Sequence, residues 1–103
     1  MSYVDIAGLR KAVRERRYRF TTHAAQRIGE RNISILEVIA VIEAGEVVEE
    51  HPEDQPHPKV LLMGRIKGVP MYVSCAFDGR HAHIITVHWY DENKWIDPWT
   101  RRN

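Results

Sequence analysis

His23, Arg27 and Arg31 recur at intervals of four in the stretch FTTHAAQRIGERNISILEV, residues 20–38. In a helix each step of four turns about 40° past a full circle, so the three lie along one stripe. Ala24 and Ile28 sit beside that stripe on the same wheel. A cationic row bordering an apolar face belongs at the rim of a core, where a groove can form. The chemistry suited to these types is attack on a phosphodiester. An imidazole moves protons near neutral pH. Arginine offers a fixed, forked charge to the oxygens that gather negative charge in a pentacoordinate transition state. No metal is needed when the nucleophile is the neighbouring ribose hydroxyl. The alternative is structural: His23 caps or packs at the helix start, and both arginines pair with acids such as Glu30 or those of residues 46–54.

Other residue sets carry weaker versions of the same choice. His88 neighbours Trp89 and Tyr90 at a strand end and is a candidate second acid–base group, completing a catalytic set of His23, Arg27, Arg31 and His88. Lys11, Arg14, Arg16, Arg17 and Arg19 could grip an RNA backbone while Tyr18 or Phe20 stacks a base. They read equally as a solvated helix end whose cations suit the negative pole. His81 and His83 lie on one face of a strand, with His51 and His57 flanking a proline-rich loop. His-x-His supplies two metal ligands, but no third ligand follows at a matching spacing, so no metal and no cofactor is expected. Cys75 stands alone in an apolar run, which excludes an internal disulfide and suits core filling. No phosphate-cradling glycine loop, zinc signature or glycine-flanked serine nucleophile is present.

Net charge is +1, but its distribution is uneven: +5 over residues 1–31, −7 over residues 32–58 and +3 over residues 59–103. The basic and acidic segments make a dipolar surface if they stay apart and cancel if they pack together. A chain of 103 residues has the length of one domain. No apolar run approaches the roughly 18 residues that span a bilayer, and no apolar segment follows the N-terminal charges. The expectation is a single soluble, cytoplasmic domain over residues 1–103, with no membrane partner.

Three helices and a run of strands must position these groups. Tyr3 to Arg17 reads as an amphipathic helix on Ile6, Leu9 and Val13, with Asp5 at its positive end. Tyr18–Phe20 reads as a short extended piece. Thr21 or Thr22 caps a second helix that runs to Glu30, with Gly29 as the place to end or bend. Ser34 and Glu37 form a capping box for a third helix, stopped by Gly45. Strands follow at 46–50, 59–66, 69–77 and 81–89, with Lys67-Gly68 as a turn and Asp78-Gly79 as a two-residue hairpin. In the last strand, strict alternation puts Ile85, Val87 and Trp89 on one face and Ile84, Thr86 and His88 on the other. The tail, with Trp95 and Trp99, either folds back as a short turn or stays loose. Helices followed by strands predict an α+β domain, with N-terminal helices packed on one face of an antiparallel β-meander.

The pattern Phe20-x-x-His23-Ala24-x-x-Arg27, then Glu30-Arg31-x-Ile33-Ser34 and Glu37-Val38, resembles the bacterial domain-of-unknown-function family 4258. Gly45, the 60–64 strand, Gly68, Ile84–Val87 and Trp95 continue the resemblance, which covers roughly residues 18–96. That family is similar to the RelE/ParE-like toxins of toxin–antitoxin modules. The resemblance implies a RelE-like fold, a metal-independent endoribonuclease acting on RNA, often on the ribosome, and a cognate antitoxin as partner. Its ParE branch inhibits gyrase and cuts no RNA. This chain departs from the ribonuclease toxins in its modest charge, and Tyr90 is the position left for their C-terminal tyrosine. A rival reading is a non-catalytic protein-interaction domain on the same fold, anchored by Trp95 and Trp99. A third is a metal hydrolase built on His81 and His83.

Overall fold

The computed structural model describes residues 4–103. Helix α1 spans Ile6–Arg14, strand β1 Tyr18–Phe20, helix α2 Thr22–Glu30 and helix α3 Ile35–Ala44. Strands β2 (Glu46–His51), β3 (Lys59–Ile66), β4 (Val69–Phe77) and β5 (Ala82–Trp89) follow, and β6 (Trp95–Asp97) and β7 (Thr100–Arg101) end the chain. The domain is α+β. Its five-stranded sheet has the order β1-β5-β4-β3-β2, so β2 to β5 form the meander. The expectation of a wholly antiparallel sheet is corrected at one edge, where β1 runs parallel to β5. No helix among the described residues is long and apolar enough to cross a membrane.

Local chemistry sets the helix ends. Asp5 caps α1 by accepting from the Gly8 amide at 2.9 Å, and the expected start at Tyr3 lies outside the described residues. Helix α1 stops at Arg14, three residues short of the expected Arg17, and α2 stops at Glu30 as expected, both in Schellman closures. Arg16 and Asn32 take the left-handed conformation, at φ 62° and 54°. The next amides, Arg17 and Ile33, then reach back to Ala12 O at 2.8 Å and Ile28 O at 3.0 Å. Gly29 therefore stays inside α2, and Asn32 ends it. Asparagine tolerates that backbone because its short polar side chain crowds little. In α3 the capping box is complete: Ser34 N donates to Glu37 at 2.9 Å, and the Ser34 hydroxyl accepts from the helix.

One core cluster joins Leu9, Ala12, Val13, Val38, Val41 and Ile42 of α1 and α3 to Val60, Leu62, Val73, Cys75, Ile84 and Val87 of the strands. Alternate strand residues point the other way. There Leu61, Met63 and Tyr72 form a second cluster with Trp95, which is fully buried. The tail is thus neither a loose end nor a simple turn. It is a small β6–β7 hairpin laid over the sheet. Tyr72 fixes it by donating its hydroxyl to Pro98 O at 2.7 Å, and Trp99 donates its indole N–H to Glu46 at 2.7 Å.

Two irregularities shape β5. The turn before it is wider than two residues: Phe77 pairs with Ala82, and Asp78 ties the intervening loop by accepting from the Arg80 and His81 amides at 2.8 and 2.6 Å. Further on, Ser74 pairs with Thr86 while Cys75 pairs with Ile84, so Ile85 is an extra residue, a β-bulge. The bulge overturns strict alternation. Ile84 shares the first core with Val87, and His83, Thr86 and His88 share the opposite face.

Candidate functional site

The bulge and the cap of α2 are one device. Thr21 donates its backbone N–H to Ile84 O at 3.0 Å and its hydroxyl to Ile85 O at 3.1 Å. The same hydroxyl oxygen accepts from Ala24 N at 3.2 Å, so Thr21 starts α2 and pins it to the bulge. Ala24 is fully buried and Ile28 packs on the core, as their place beside the stripe predicts. The stripe itself faces a cleft of about 250 Å³, lined by His23, Arg27 and Arg31 together with Thr86, His88 and Trp89 of β5 and Asp91, Lys94 and Arg101 of the tail. All four candidate catalytic residues therefore meet in one hollow.

No carboxylate locks the stripe. Among the described residues, the side chains of His23, Arg27, Arg31 and Lys94 have neither a hydrogen-bond nor an ion-pair partner. Arg31 is nevertheless positioned, because as the C-cap of α2 it donates its backbone N–H to Arg27 O at 3.0 Å. Arg101 is the exception among the cations. Its Nε donates to Glu49 at 2.6 Å, and its guanidinium lies 4.7 Å from the centre of the Trp95 ring. Burial pushes the Glu49 carboxyl up, but hydrogen bonds from Arg101 and His51 outweigh it and hold the group below its usual range.

His88 is the most perturbed imidazole. It stacks on Tyr72 at 5.1 Å, and Tyr72 stacks on Trp95 at 4.4 Å. Burial, then the charges of Lys94, Arg101 and Arg31, push its pKa down to about 4 against the partial restoring pull of Asp91. It is therefore neutral at pH 7, with its ring nitrogen open to a proton that it would hold only weakly. Burial likewise pushes the Tyr72 phenol up to about 12, so Tyr72 is a neutral platform.

The depressed pKa fixes a sign for stability. As the pH drops below 6.5 the unfolded chain gains the His88 proton first, and the folded chain gains it only near 4. The stability that neutral His88 contributes is complete above about pH 6.5 and is lost as the pH falls to about 4. Thermal melts across pH 7.5 to 4 are expected to fall through that window, with a shallower slope in His88→Gln. Equal slopes would remove the buried neutral imidazole.

The structure separates the other candidates from the cleft. None of Lys11, Arg14, Arg16, Arg17 and Arg19 lines it. The Schellman turn at Arg16 breaks the basic run, so these cations do not form one helical face. Arg17 pairs with Glu15 at 2.8 Å and also donates to Arg80 O. Tyr90 does not line the cleft either: its hydroxyl donates to Trp95 O at 3.4 Å. Trp95, expected as an exposed anchor, is fully buried, whereas Trp99 is 49% exposed. His83 and His81 both turn toward the Asp78 carboxylate, at 2.9 and 3.9 Å, and the His57 ring stacks on His83. Among the described residues no group of three or more metal-ligating side chains gathers. Cys75 is fully buried, and burial pushes its thiol up to about 12.

Lys94 and Arg101 are the cleft cations that sequence reasoning missed, and Asp91 is the carboxylate beside them. The signal lay in the tail, where Asp91-Glu92-Asn93-Lys94 is a turn: Asp91 accepts from the Asn93 amide at 2.9 Å, and the Lys94 and Trp95 amides reach Asp91 O. A turn before an apolar Trp95 announces a hairpin that must land on something.

No curated protein and no solved structure matches the chain. A family model described as a domain of unknown function, DUF4258, matches residues 20–89, which hold α2, α3 and all of β2 to β5 but stop short of the β6–β7 hairpin. The chain is therefore a member of the DUF4258 family, carrying the stripe and His88 within the family's span and completing its cleft from outside it.

Proposed function

We propose that this protein is a toxin-like, metal-independent endoribonuclease of a bacterial toxin–antitoxin type module, with a RelE-like arrangement of helices on a sheet. The observation that carries the reading is the facing of a neutral His88 and an unpaired His23–Arg27–Arg31 stripe across one solvent-open cleft. His88 takes the proton from a ribose 2′-hydroxyl as that oxygen attacks phosphorus. Arg27 and Arg31 hold the charge that builds on the non-bridging oxygens, where forked donors act best. His23 gives a proton to the departing 5′-oxygen as the phosphorus–oxygen bond breaks. The products are a 2′,3′-cyclic phosphate and a 5′-hydroxyl. Every group this scheme needs is a side chain, so purified protein is expected to cleave RNA, alone or with ribosomes, as well in chelator as without it, and to leave the cyclic end. Intact RNA under both conditions would overturn the reading.

A second reading rests on a different place. Leu36 is 78% and Ile35 50% exposed at the start of α3, an apolar pair that a protein partner would cover. In a non-catalytic interaction domain, binding to a neighbour-encoded protein persists in Arg27→Ala and is lost in Leu36→Asp.

A further inference from the structure

The charge in the cleft exceeds what one phosphodiester can neutralise. Arg27, Arg31, Lys94 and Arg101 face a single carboxylate on the cleft wall, Asp91. Even with Glu49 set against Arg101, two positive charges remain uncompensated. An internal phosphodiester brings one negative charge. The cations also come from two sides: Arg27 and Arg31 from α2 and its C-cap, Lys94 and Arg101 from the tail that lies beyond the family's span.

We infer that Lys94 and Arg101 form a second phosphate subsite, so that the ligand of this cleft presents two phosphate groups, one to α2 and one to the β6–β7 hairpin. The inference deepens the nuclease reading and rests on it for the identity of the first phosphate. Arg101 is built for the task. Glu49 occupies only its Nε edge, and Trp95 supports its plane, leaving the terminal amino groups free to fork onto an anion. The hairpin that carries it is tied down as well. Arg102 donates its backbone N–H to Lys94 O at 2.9 Å and its Nε to Glu92 O at 2.7 Å. Lys94 needs no such support, since an ammonium on a flexible stem serves as a mobile point charge. The shared chemistry is a pair of phosphates, supplied by successive linkages of a polynucleotide or by a diphosphate group.

Calorimetric titration of the full chain separates these sources. The probes are thymidine dinucleotide, the same dinucleotide with an added 5′- or 3′-phosphate, and inorganic pyrophosphate. The deoxyribose probes lack the 2′-hydroxyl and stay intact, and the added phosphate brings charge without another base. One phosphorylated form is expected to bind about tenfold tighter than the plain dinucleotide, with a salt dependence steeper by about 0.7 in the log–log slope. The step disappears in the Lys94→Gln/Arg101→Gln double variant and persists in Arg31→Ala, which weakens both forms alike. Lys94→Gln alone, at an exposed and unpartnered side chain, removes part of the step without touching the hairpin. No step in the wild type, or a step that survives the double variant, overturns the inference. Pyrophosphate binding as tightly as the better dinucleotide supports the subsite and assigns it to a diphosphate group. A full length step in a protein that cuts no RNA removes the nuclease and leaves the subsite standing.

Discussion

Arg31→Ala is expected to lower kcat/KM for RNA cleavage by about a hundredfold, the scale of removing one preorganised donor from a charged transition state. The fold should not register the change. The Arg31 side chain is exposed and has no partner among the described residues, so its loss belongs with surface substitutions worth within about 0.5 kcal/mol. Its structural part is played by its backbone, which closes α2, and alanine keeps that. Arg31→Lys retains the charge but loses the fork, so it should recover only part of the rate. The pH profile gives an independent reading. Removing Arg31 takes away one of the cations that hold the His88 imidazole down, so the acidic limb of the profile should move upward in the variant. Activity that falls together with the melting temperature, or that does not fall, would take the stripe out of the chemistry.

The largest effect on stability is expected at Trp95. It is the largest fully buried side chain, stacked on Tyr72 and covered by Arg101. Trp95→Ala should cost about 3–5 kcal/mol. For a domain of this size that lowers the melting temperature by about 15 °C or more. Trp95→Phe should cost much less than its lost volume suggests. The Trp95 Nε1 is buried with no hydrogen-bond partner among the described residues, and an orphaned donor costs about 1–3 kcal/mol that phenylalanine does not incur. Urea melts of both variants check the order. Equal losses would mean that the indole N–H has a partner that only tryptophan satisfies. Trp95→Ala should also loosen Arg101 and so weaken anions in the cleft, an effect absent from Trp95→Phe.

What was legible in the sequence was whatever local chemistry decides. Ser34 and Glu37 announce α3 because their reciprocal bonds need only four residues. The bounds of β3 and β4 follow from apolar patterning broken at Lys67 and Gly68, both of which adopt positive φ in the turn. The stripe was legible because helical spacing alone puts His23, Arg27 and Arg31 together. What escaped was decided by distant partners. Nothing within Tyr18–Phe20 says that it pairs with Ala82–Ile84, or that it does so in parallel. Nothing in ITVHW marks Ile85 as the extra residue, since its carbonyl is satisfied by Thr21, 64 positions earlier. Lys94 and Arg101 entered the site only because Trp95 buries itself beside Tyr72, a match of shape that no spacing encodes.

The bulge at Ile85 has an evolutionary corollary. Along β5, chain length and side-chain direction are not independent. Flattening the bulge while keeping Ile85 in line would restore an unbroken two-residue rhythm from Ile84 and roll the distal half of the strand over. The valine now sheltered beneath the sheet would meet water, and the imidazole that now overlooks the arginines would be driven into oil. Deleting Ile85 itself would leave both faces as they are, since Thr86 already sits opposite Ser74. A lineage that shortened the strand there would keep its core and lose instead the carbonyl to which Thr21 ties the second helix.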